Sequence, residues 1–268
     1  MFEIIKALIL GIIEGVTEFL PISSTGHLIL ANEFFSFENK SFETLFNIVI
    51  QLGAILSVVV FFRRKLVPLG KNATPQSRKN AFELYKRAIV GVIPAIILGA
   101  MFSDIMDKYL FYPQVVAAAL AVGGVAIILI ERLRKRPRIT RIAGLSYKTV
   151  LFIGLFQCLA MIPGMSRSAC TIIAAMLLGC SRVVAAEFSF FLAIPTMAAS
   201  SGYALLKYGG GITPFQTAVL AVGFVTAFIV ALLVIRLFMG MISKSSFVPF
   251  GYYRIGLAAV VLLYFMVR

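Results

Sequence analysis

The stretch Glu14-Gly-Val-Thr-Glu18-Phe-Leu-Pro21-Ile-Ser23-Ser24-Thr25-Gly26-His27 interrupts an apolar run that extends over residues 2–33. Proline ends helices, and the hydroxyl residues that follow it are typical helix N-caps, so the stretch predicts that one helix stops here and another begins. Each half is too short to cross a bilayer, which takes roughly 20 apolar residues. We therefore expect the chain to enter the lipid and turn back as a re-entrant helical hairpin.

The composition of the whole chain also indicates a protein that lies in lipid. Of its 268 residues, 60% are hydrophobic and only 13% are charged, whereas a soluble domain has about a quarter charged residues. Six further apolar runs are long enough to span a bilayer: 43–62, 83–101, 113–130, 184–206, 213–236 and 250–267. The sequence predicts an all-α integral membrane protein that forms a single membrane domain over residues 1–268.

A second broken run covers residues 148–180 and is interrupted at Pro163-Gly164-Met165-Ser166. The two broken runs can be aligned, Gly11-Ile12-Ile13-Glu14 with Gly154-Leu155-Phe156-Gln157 and Pro21-x-x-Ser24 with Pro163-x-x-Ser166. Each half of the chain, about 1–130 and 131–268, then holds one re-entrant hairpin and three spans. An odd number of crossings inverts the second half, which predicts an inverted-topology repeat whose broken helices meet near the midplane.

The charged residues predict the orientation. The net charge of +14 arises mainly in short loops, which is typical of membrane topology and argues against a nucleic-acid partner. Residues 63–87 hold eight basic residues against one acid, and residues 131–148 hold seven against one. Both loops are predicted to be cytoplasmic, with the loop of Asp104, Asp107 and Lys108 and both termini outside. Glu14 and Glu18, in the interior of the first apolar run, argue that this run is retained rather than cleaved as a signal peptide.

The first break carries ionisable groups. Glu14 and Glu18 are four residues apart and share one helix face. Inside a membrane they would need a divalent cation, a shared proton or a nearby arginine, or else they form a structural pair. His27, the only histidine, is either a core residue or a catalytic one, and its position one turn after the hydroxyls favours chemistry. One of Ser23, Ser24 and Thr25 should cap the new helix.

The second break carries Arg167 among hydroxyl residues. Its planar guanidinium suits phosphate, and the alternative is a salt bridge to Glu14, Glu18 or Glu187. Gly164 permits a tight backbone. The hydroxyl groups here belong to Ser166, Ser168 and Thr171. Two opposed helix N-termini, an arginine, hydroxyls and carboxylates together favour phosphoryl transfer.

The two motifs resemble a known family. Glu14-x-x-x-Glu18 with Pro-x-Ser-Ser-Thr-Gly-His27, and Pro163-Gly164-x-Ser166-Arg167-Ser168-x-x-Thr171, are similar to the signatures of bacterial undecaprenyl-diphosphate phosphatases of the bacitracin-resistance type. The resemblance implies hydrolysis of undecaprenyl diphosphate to the monophosphate and inorganic phosphate, which recycles the lipid carrier for cell-wall synthesis. It also implies a divalent cation, Mg²⁺ or Ca²⁺.

The resemblance also implies roles for the motif residues. Glu14 and Glu18 would bind the metal or act as acid and base, and Arg167 would clamp the diphosphate. The nucleophile would be Ser24 or His27, and a serine would need His27 or Glu18 as its base. The remaining substrate-binding residues would be Ser23, Thr25, Gly164, Ser166, Ser168 and Thr171.

The expected partners are a long-chain prenyl diphosphate and the lipids of the bacterial plasma (inner) membrane, with a homo-oligomer as a possibility left open. The alternative function is a transporter or flippase of an anionic prenyl-phosphate lipid, because inverted repeats and broken helices are typical of transporters. The paired acids beside a hydroxyl and a histidine favour the enzyme. A purely structural scaffold would not explain so many intramembrane polar groups. We expect the site to open on the outer side.

Overall fold

The computed structural model describes residues 2–69, 74–109, 112–133 and 136–267, with the backbone alone for 103–109. The side chains of Asp104, Asp107 and Lys108 and the basic residues Lys71, Arg134 and Lys135 therefore lie outside the described part. Every regular element in the described ranges is a helix. This confirms the predicted all-α class.

Eleven α-helices follow one another in the described ranges: α1 Phe2–Thr17, α2 Ser24–Phe35, α3 Lys40–Phe61, α4 Arg63–Leu66, α5 Pro75–Tyr109, α6 Pro113–Arg132, α7 Tyr147–Gln157, α8 Arg167–Leu177, α9 Arg182–Tyr208, α10 Pro214–Ile242 and α11 Val248–Val267. Two short 3₁₀ helices, Ile142–Gly144 and Cys158–Met161, flank α7.

Six of these helices are long and apolar enough to cross a membrane: α3, α5 as far as Phe102, α6, α9, α10 and α11. They correspond one to one with the six predicted spans. The helices α3 and α9 begin two to three residues before their predicted apolar runs, and a polar residue caps the first turn of each. Asn39 and Ser181 accept hydrogen bonds from backbone N–H groups of α3 and α9, and Thr213 caps α10 in the same way. The chain is thus a multi-pass membrane protein by the length and composition of its helices.

Both broken runs are helix–break–helix units. In each, the second helix starts at a serine cap with a left-handed backbone: Ser23 has φ 72° and Ser166 has φ 68°. They are the only two non-glycine residues of the described ranges with positive φ. Such a conformation costs on the order of 1–3 kcal/mol and persists where the surrounding structure enforces it. The predicted cap among the first three hydroxyls is Ser23, which accepts from the Gly26 N–H at 3.3 Å.

Close helix contacts hold the broken units against the spans. A side chain at Gly11 of α1 would meet the carbonyl oxygen of Gly223 in α10, and one at Gly154 of α7 would collide with the backbone of Gly91 in α5. Small residues let helix backbones approach where lipid supplies no hydrophobic driving force. Each first half-helix is therefore fixed along a long span, which sets where its break lies.

Candidate active site

A cavity of about 640 Å³ lies between the two breaks and the helices α3, α5 and α9. Both helix starts line it, through Ser24 and Thr25 of α2 and through Ser166 and Arg167 at the start of α8. The rest of its wall is mainly apolar and comes from α5, the 3₁₀ turn after α7, and α9: Val92, Ala95, Ile96, Gly99, Ala100, Ala160, Met161, Met197 and Ala199. The cavity is polar at the breaks, and its remaining wall is mainly apolar but also includes the polar side chains Gln51, Gln157, Thr196, Ser200 and Tyr203.

Glu18 is the centre of the polar end. Its side chain is buried, and each carboxylate oxygen accepts one charge-assisted or hydroxyl hydrogen bond. Arg167 donates Nη2–H to Oε1 at 2.9 Å, and Ser24 donates Oγ–H to Oε2 at 2.6 Å. Residues 149 positions apart in sequence are thereby joined in one buried ion pair. The structure thus brings together three of the predicted site residues from both motifs.

Arg167 is also held from behind by α9. Its Nη1 donates to the backbone oxygen of Ser189 at 2.8 Å and to its hydroxyl at 3.3 Å. Thr171 donates to the same Ser189 hydroxyl at 2.7 Å, so it orients the partner of Arg167 and lies behind the guanidinium. Nε of Arg167 is buried and has no acceptor among the described residues. One donor of the arginine is therefore uncommitted beside the cavity.

The hydroxyls of the second motif mainly support its backbone. Ser166 caps α8 by accepting from the Ala169 N–H at 3.2 Å. Its hydroxyl also lies 3.0 Å from that of Ser168, and Ser168 donates to the carbonyl oxygen of Leu20 in the first break at 3.0 Å. Ser168 thereby fastens one break to the other. Gly164 lines the cavity at φ 96°, and any side chain there would collide with the Val116 carbonyl of α6.

Glu14 is fully buried, and neither of its carboxylate oxygens has a hydrogen-bond partner in the described part of the chain. The Glu18 carboxyl lies close enough to share a proton with it, and Arg167 acts on it through its charge. A buried carboxylate without donors is costly unless it carries a proton or lies beside a cation. These orphaned oxygens fit a divalent cation. No group of three acidic, histidine or cysteine ligands exists in the described ranges, so further ligands would have to be water or substrate oxygens, as is common for Mg²⁺.

The structure does not bring His27 into this cavity. Nδ1 lies 2.7 Å from the Ser23 carbonyl oxygen and Nε2 lies 2.7 Å from the Tyr253 hydroxyl. The imidazole also stacks on the Tyr253 ring, with centroids 5.6 Å apart. It lines a separate apolar groove between α1, α2 and α11. The imidazole therefore adjoins Ser23 but not the cavity, because its hydrogen bond to Tyr253 and its packing on that ring hold it in this groove.

Sequence reasoning missed two residues that shape the site. Ser189 looks like an ordinary small residue of a span, and only the packing of α9 on α8 makes it a partner of Arg167. Arg254 is fully buried in α11 and donates to carbonyl oxygens of both breaks, at Pro21 and Gly164. An arginine inside a predicted span is itself a signal. It lay in the run 250–267 and could have been singled out.

Comparison with known proteins assigns the family. Residues 7–260 match the family described as bacitracin resistance protein BacA. The chain is 50% identical over 266 residues to undecaprenyl-diphosphatase 1 of Clostridioides difficile strain 630, covering 99% of this chain and 97% of that one. It is 48% identical to undecaprenyl-diphosphatase of Lactiplantibacillus plantarum over 99% of this chain and 98% of that one. For the enzyme of Enterococcus faecalis the identity is 47%, over 97% and 96% of the two chains. The chain belongs to the bacitracin resistance protein BacA family.

Proposed function

We propose that this chain is a membrane phosphatase that hydrolyses undecaprenyl diphosphate to undecaprenyl phosphate and inorganic phosphate. The observation that carries the proposal is the meeting of Arg167 and Ser24 on Glu18 at the polar end of a mainly apolar cavity. That division of polarity matches a lipid diphosphate. The names of its relatives support the same substrate. By recycling the carrier lipid in the bacterial inner membrane, the chain supports cell-wall synthesis and confers bacitracin resistance.

The site has the groups that bind a diphosphate. Arg167 offers its uncommitted Nε and can exchange its bond to Glu18 for a phosphate oxygen. The starts of α2 and α8 add free backbone N–H groups and the positive ends of two helix dipoles. The first isoprene units would lie along the apolar wall. The remaining prenyl chain exceeds the cavity and would extend into the lipid.

Ser24 is the nucleophile of the proposed reaction. Its hydroxyl already donates to Glu18 at 2.6 Å, which is the geometry of a nucleophile beside its base. As Arg167 turns to the phosphate, Glu18 becomes free to accept the Ser24 proton. The Ser24 oxygen then bonds to the terminal phosphorus, the bond from that phosphorus to the bridging oxygen breaks, and undecaprenyl phosphate leaves. Water hydrolyses the phosphoserine and releases inorganic phosphate.

His27 has a supporting role in this proposal. Its bond to the Ser23 carbonyl and its contact with Tyr253 hold the residue that caps α2. Ser24 is the next residue, so the imidazole would fix the nucleophile's backbone rather than touch the phosphate. Of the two candidates for the nucleophile, the proposal therefore assigns the role to Ser24.

A divalent cation, Mg²⁺ or Ca²⁺, would be held by Glu14 together with Glu18. When bound, it would supply positive charge for the phosphoryl oxygens. The two unpartnered oxygens of Glu14 support this assignment. Glu14 does not line the cavity, so its role would be limited to holding the cation.

Re-entrant hairpins in an inverted repeat are the topology we propose. The N-caps Ser23 and Ser166 share the same unusual backbone conformation, which supports a repeat in which these two residues correspond. The sequence alignment instead matches Ser24 with Ser166, so the two correspondences differ by one residue. The predicted sidedness is supported by polar contacts. Glu131 accepts from Arg182 at 2.6 and 2.8 Å and from the Phe247 N–H at 3.1 Å, and all three belong to segments assigned to the cytoplasm.

The cavity would then open toward the outer half of the membrane, because its α5 and α9 residues lie in the halves of those helices that lead outward.

A flippase that moves a prenyl phosphate remains the second candidate. It would also need an anion site and an apolar wall. It would not need a serine hydrogen-bonded to a carboxylate, and this contact favours hydrolysis.

Replacing Ser24 by Ala tests the proposal. We expect the folded Ser24→Ala protein to lose at least about 10³-fold in turnover of undecaprenyl diphosphate, since a covalent route loses its nucleophile. Ser57→Ala is the matched control, because among the described residues the hydroxyl of this buried serine bonds only to the Ala54 carbonyl of its own helix α3. Acid quenching during turnover of substrate labelled in the terminal phosphate should trap label on the wild type and none on the variant. Turnover of Ser24→Ala within about tenfold of wild type would contradict the assigned nucleophile.

A further inference from the structure

Arg254 is an intramembrane cation outside the assigned motifs. Its side chain is fully buried in α11, and no described acid forms a salt bridge with it. It does not line the cavity. A buried charge of this kind is costly and is retained mainly where it has a task. Any effect of Arg254 on the rest of the protein must therefore act through the groups to which its guanidinium is hydrogen-bonded.

All of these groups are backbone carbonyl oxygens, and they come from three segments. Nη1 donates to Pro21 at 3.3 Å and Nη2 donates to Gly164 at 2.9 Å. Nε donates to Leu120 at 3.2 Å and Nη2 also to Ala119 at 3.2 Å, both in α6. The planar guanidinium group of Arg254 therefore connects the first break, the second break and a membrane-spanning helix.

The positions of the two break carbonyls are equivalent. Pro21 lies three residues before Ser24, the first residue of α2, and Gly164 lies three residues before Arg167, the first residue of α8. Ser24 and Arg167 are the residues that meet on Glu18. Whatever fixes the distance between the Pro21 and Gly164 carbonyls also fixes the distance between these two helix starts.

The neighbouring helix makes room for this arrangement. Gly123 of α6 lies against the guanidinium so closely that a methyl group there would collide with Nη2 of Arg254. Gly124 is pressed in the same way against the backbone of Gly251 and the Arg254 side chain. A larger residue at position 123 would displace the Arg254 guanidinium without removing any of its N–H donors.

We propose that Arg254 is a positioning residue for the phosphatase site, which sets the register of the α2 and α8 starts by binding the Pro21 and Gly164 carbonyls. It acts on Ser24 and Arg167 through the backbone and does not touch substrate. Its loss lowers kcat much more than it raises KM, since the apolar wall that binds the prenyl chain is built from other helices. A displacement of reacting groups by about 1 Å costs on the order of 100-fold in rate.

The test uses the purified full-length chain in detergent, with kcat and KM for phosphate release measured on the folded fraction from size exclusion. We expect Arg254→Met to lose roughly 10- to 100-fold in kcat with KM within about threefold. Arg254→Lys should recover little of this, because an ammonium keeps the charge but cannot reach all three segments. Arg236→Met, on the exposed face of α10, is the control and should match wild type.

Gly123→Ala keeps the arginine and tests the geometry independently, including in the case that Arg254→Met does not fold. It should lower kcat as Arg254→Met does, and the double variant should be no worse than the worse single one, since both disturb the same contact. Full kcat in folded Arg254→Lys and Gly123→Ala would overturn the proposal. So would a kcat of Arg254→Lys equal to wild type beside a defective Gly123→Ala, because charge alone would then suffice.

The inference rests on the proposed site around Glu18, and an Arg167→Ala sample measured in parallel separates the two failures. If Arg167→Ala is inactive while the Arg254 and Gly123 variants keep full kcat, only the positioning role is wrong. If Arg167→Ala retains turnover, the proposed site is wrong and the positioning role is overturned with it.

Discussion

Arg167→Ala is the perturbation whose consequences can be worked out most fully from the structure. In the wild type, Glu18 is 5% exposed and its charge is balanced by Arg167 at 2.9 Å. Removing the arginine leaves a buried carboxylate with Ser24 as its only hydrogen-bond donor in the described part of the chain. Breaking a buried ion pair in this way costs about 3–5 kcal/mol. That is a large share of a typical free energy of unfolding of about 5–15 kcal/mol.

The same change acts separately on turnover. In the proposed reaction Arg167 directs Nε and a second N–H at the phosphate, and each donor to a developing charge contributes about 10²–10³ in rate. We expect kcat/KM of Arg167→Ala to fall at least about 10³-fold. Arg167→Lys restores a charge but not the paired geometry and should remain about 10²-fold below wild type.

A double variant separates the loss of stability from the loss of chemistry. Arg167→Ala combined with Glu18→Gln removes both charges, so its melting temperature in detergent should recover most of what the single variant lost. Its turnover should stay absent. The assay is phosphate release per folded protein, with thermal unfolding measured on the same samples and Arg236→Ala as the control. Turnover of Arg167→Ala within about tenfold of wild type, or a double variant as unstable as the single one, would refute this reasoning.

Two further predictions concern the acidic pair and the topology. Glu14→Gln and Glu18→Gln should each lower phosphate release strongly, the double variant should be little worse than the worse single one, and added Mg²⁺ or Ca²⁺ should partly restore a single variant; full activity in excess chelator would exclude the metal role. The topology can be tested with single cysteines introduced into a chain whose native Cys158, Cys170 and Cys180 have been replaced. Cysteines near Lys71 and Arg136 should be protected from impermeant reagents in intact cells, whereas one at Gly210, between α9 and α10, should react. Labelling of Arg136→Cys and Gly210→Cys from the same side would contradict the proposed sidedness.

The helices could be predicted because their signals are local. Long apolar runs bounded by caps such as Asn39 and Thr213 define the spans, and proline followed by serine defines the breaks. The pairing of Arg167 was predicted as one of three alternatives, and it is made with Glu18. Glu187 instead pairs with Lys65.

The rest of the site depends on how separate helices pack. Ser189 and Arg254 act through backbone or hydroxyl groups of residues far away in sequence, and no local pattern indicates such partners. His27 shows the limit of arguing from nearness in sequence, because its position one turn after the hydroxyls favoured a part in the same chemistry, and that role stays a prediction. Its contact with Tyr253, which lies far away in sequence on α11, holds the ring in a separate groove.

The central claim is that the cavity at Glu18, Ser24 and Arg167 hydrolyses its lipid rather than carrying it. Detergent micelles test this directly, because they contain no second compartment into which a lipid could be moved. Purified protein mixed with undecaprenyl diphosphate in micelles should release one inorganic phosphate for each undecaprenyl phosphate formed, and Arg167→Ala should release none above background. Binding of the diphosphate lipid by the folded wild type without any phosphate release, with and without added Mg²⁺ or Ca²⁺, would contradict the account and favour the flippase.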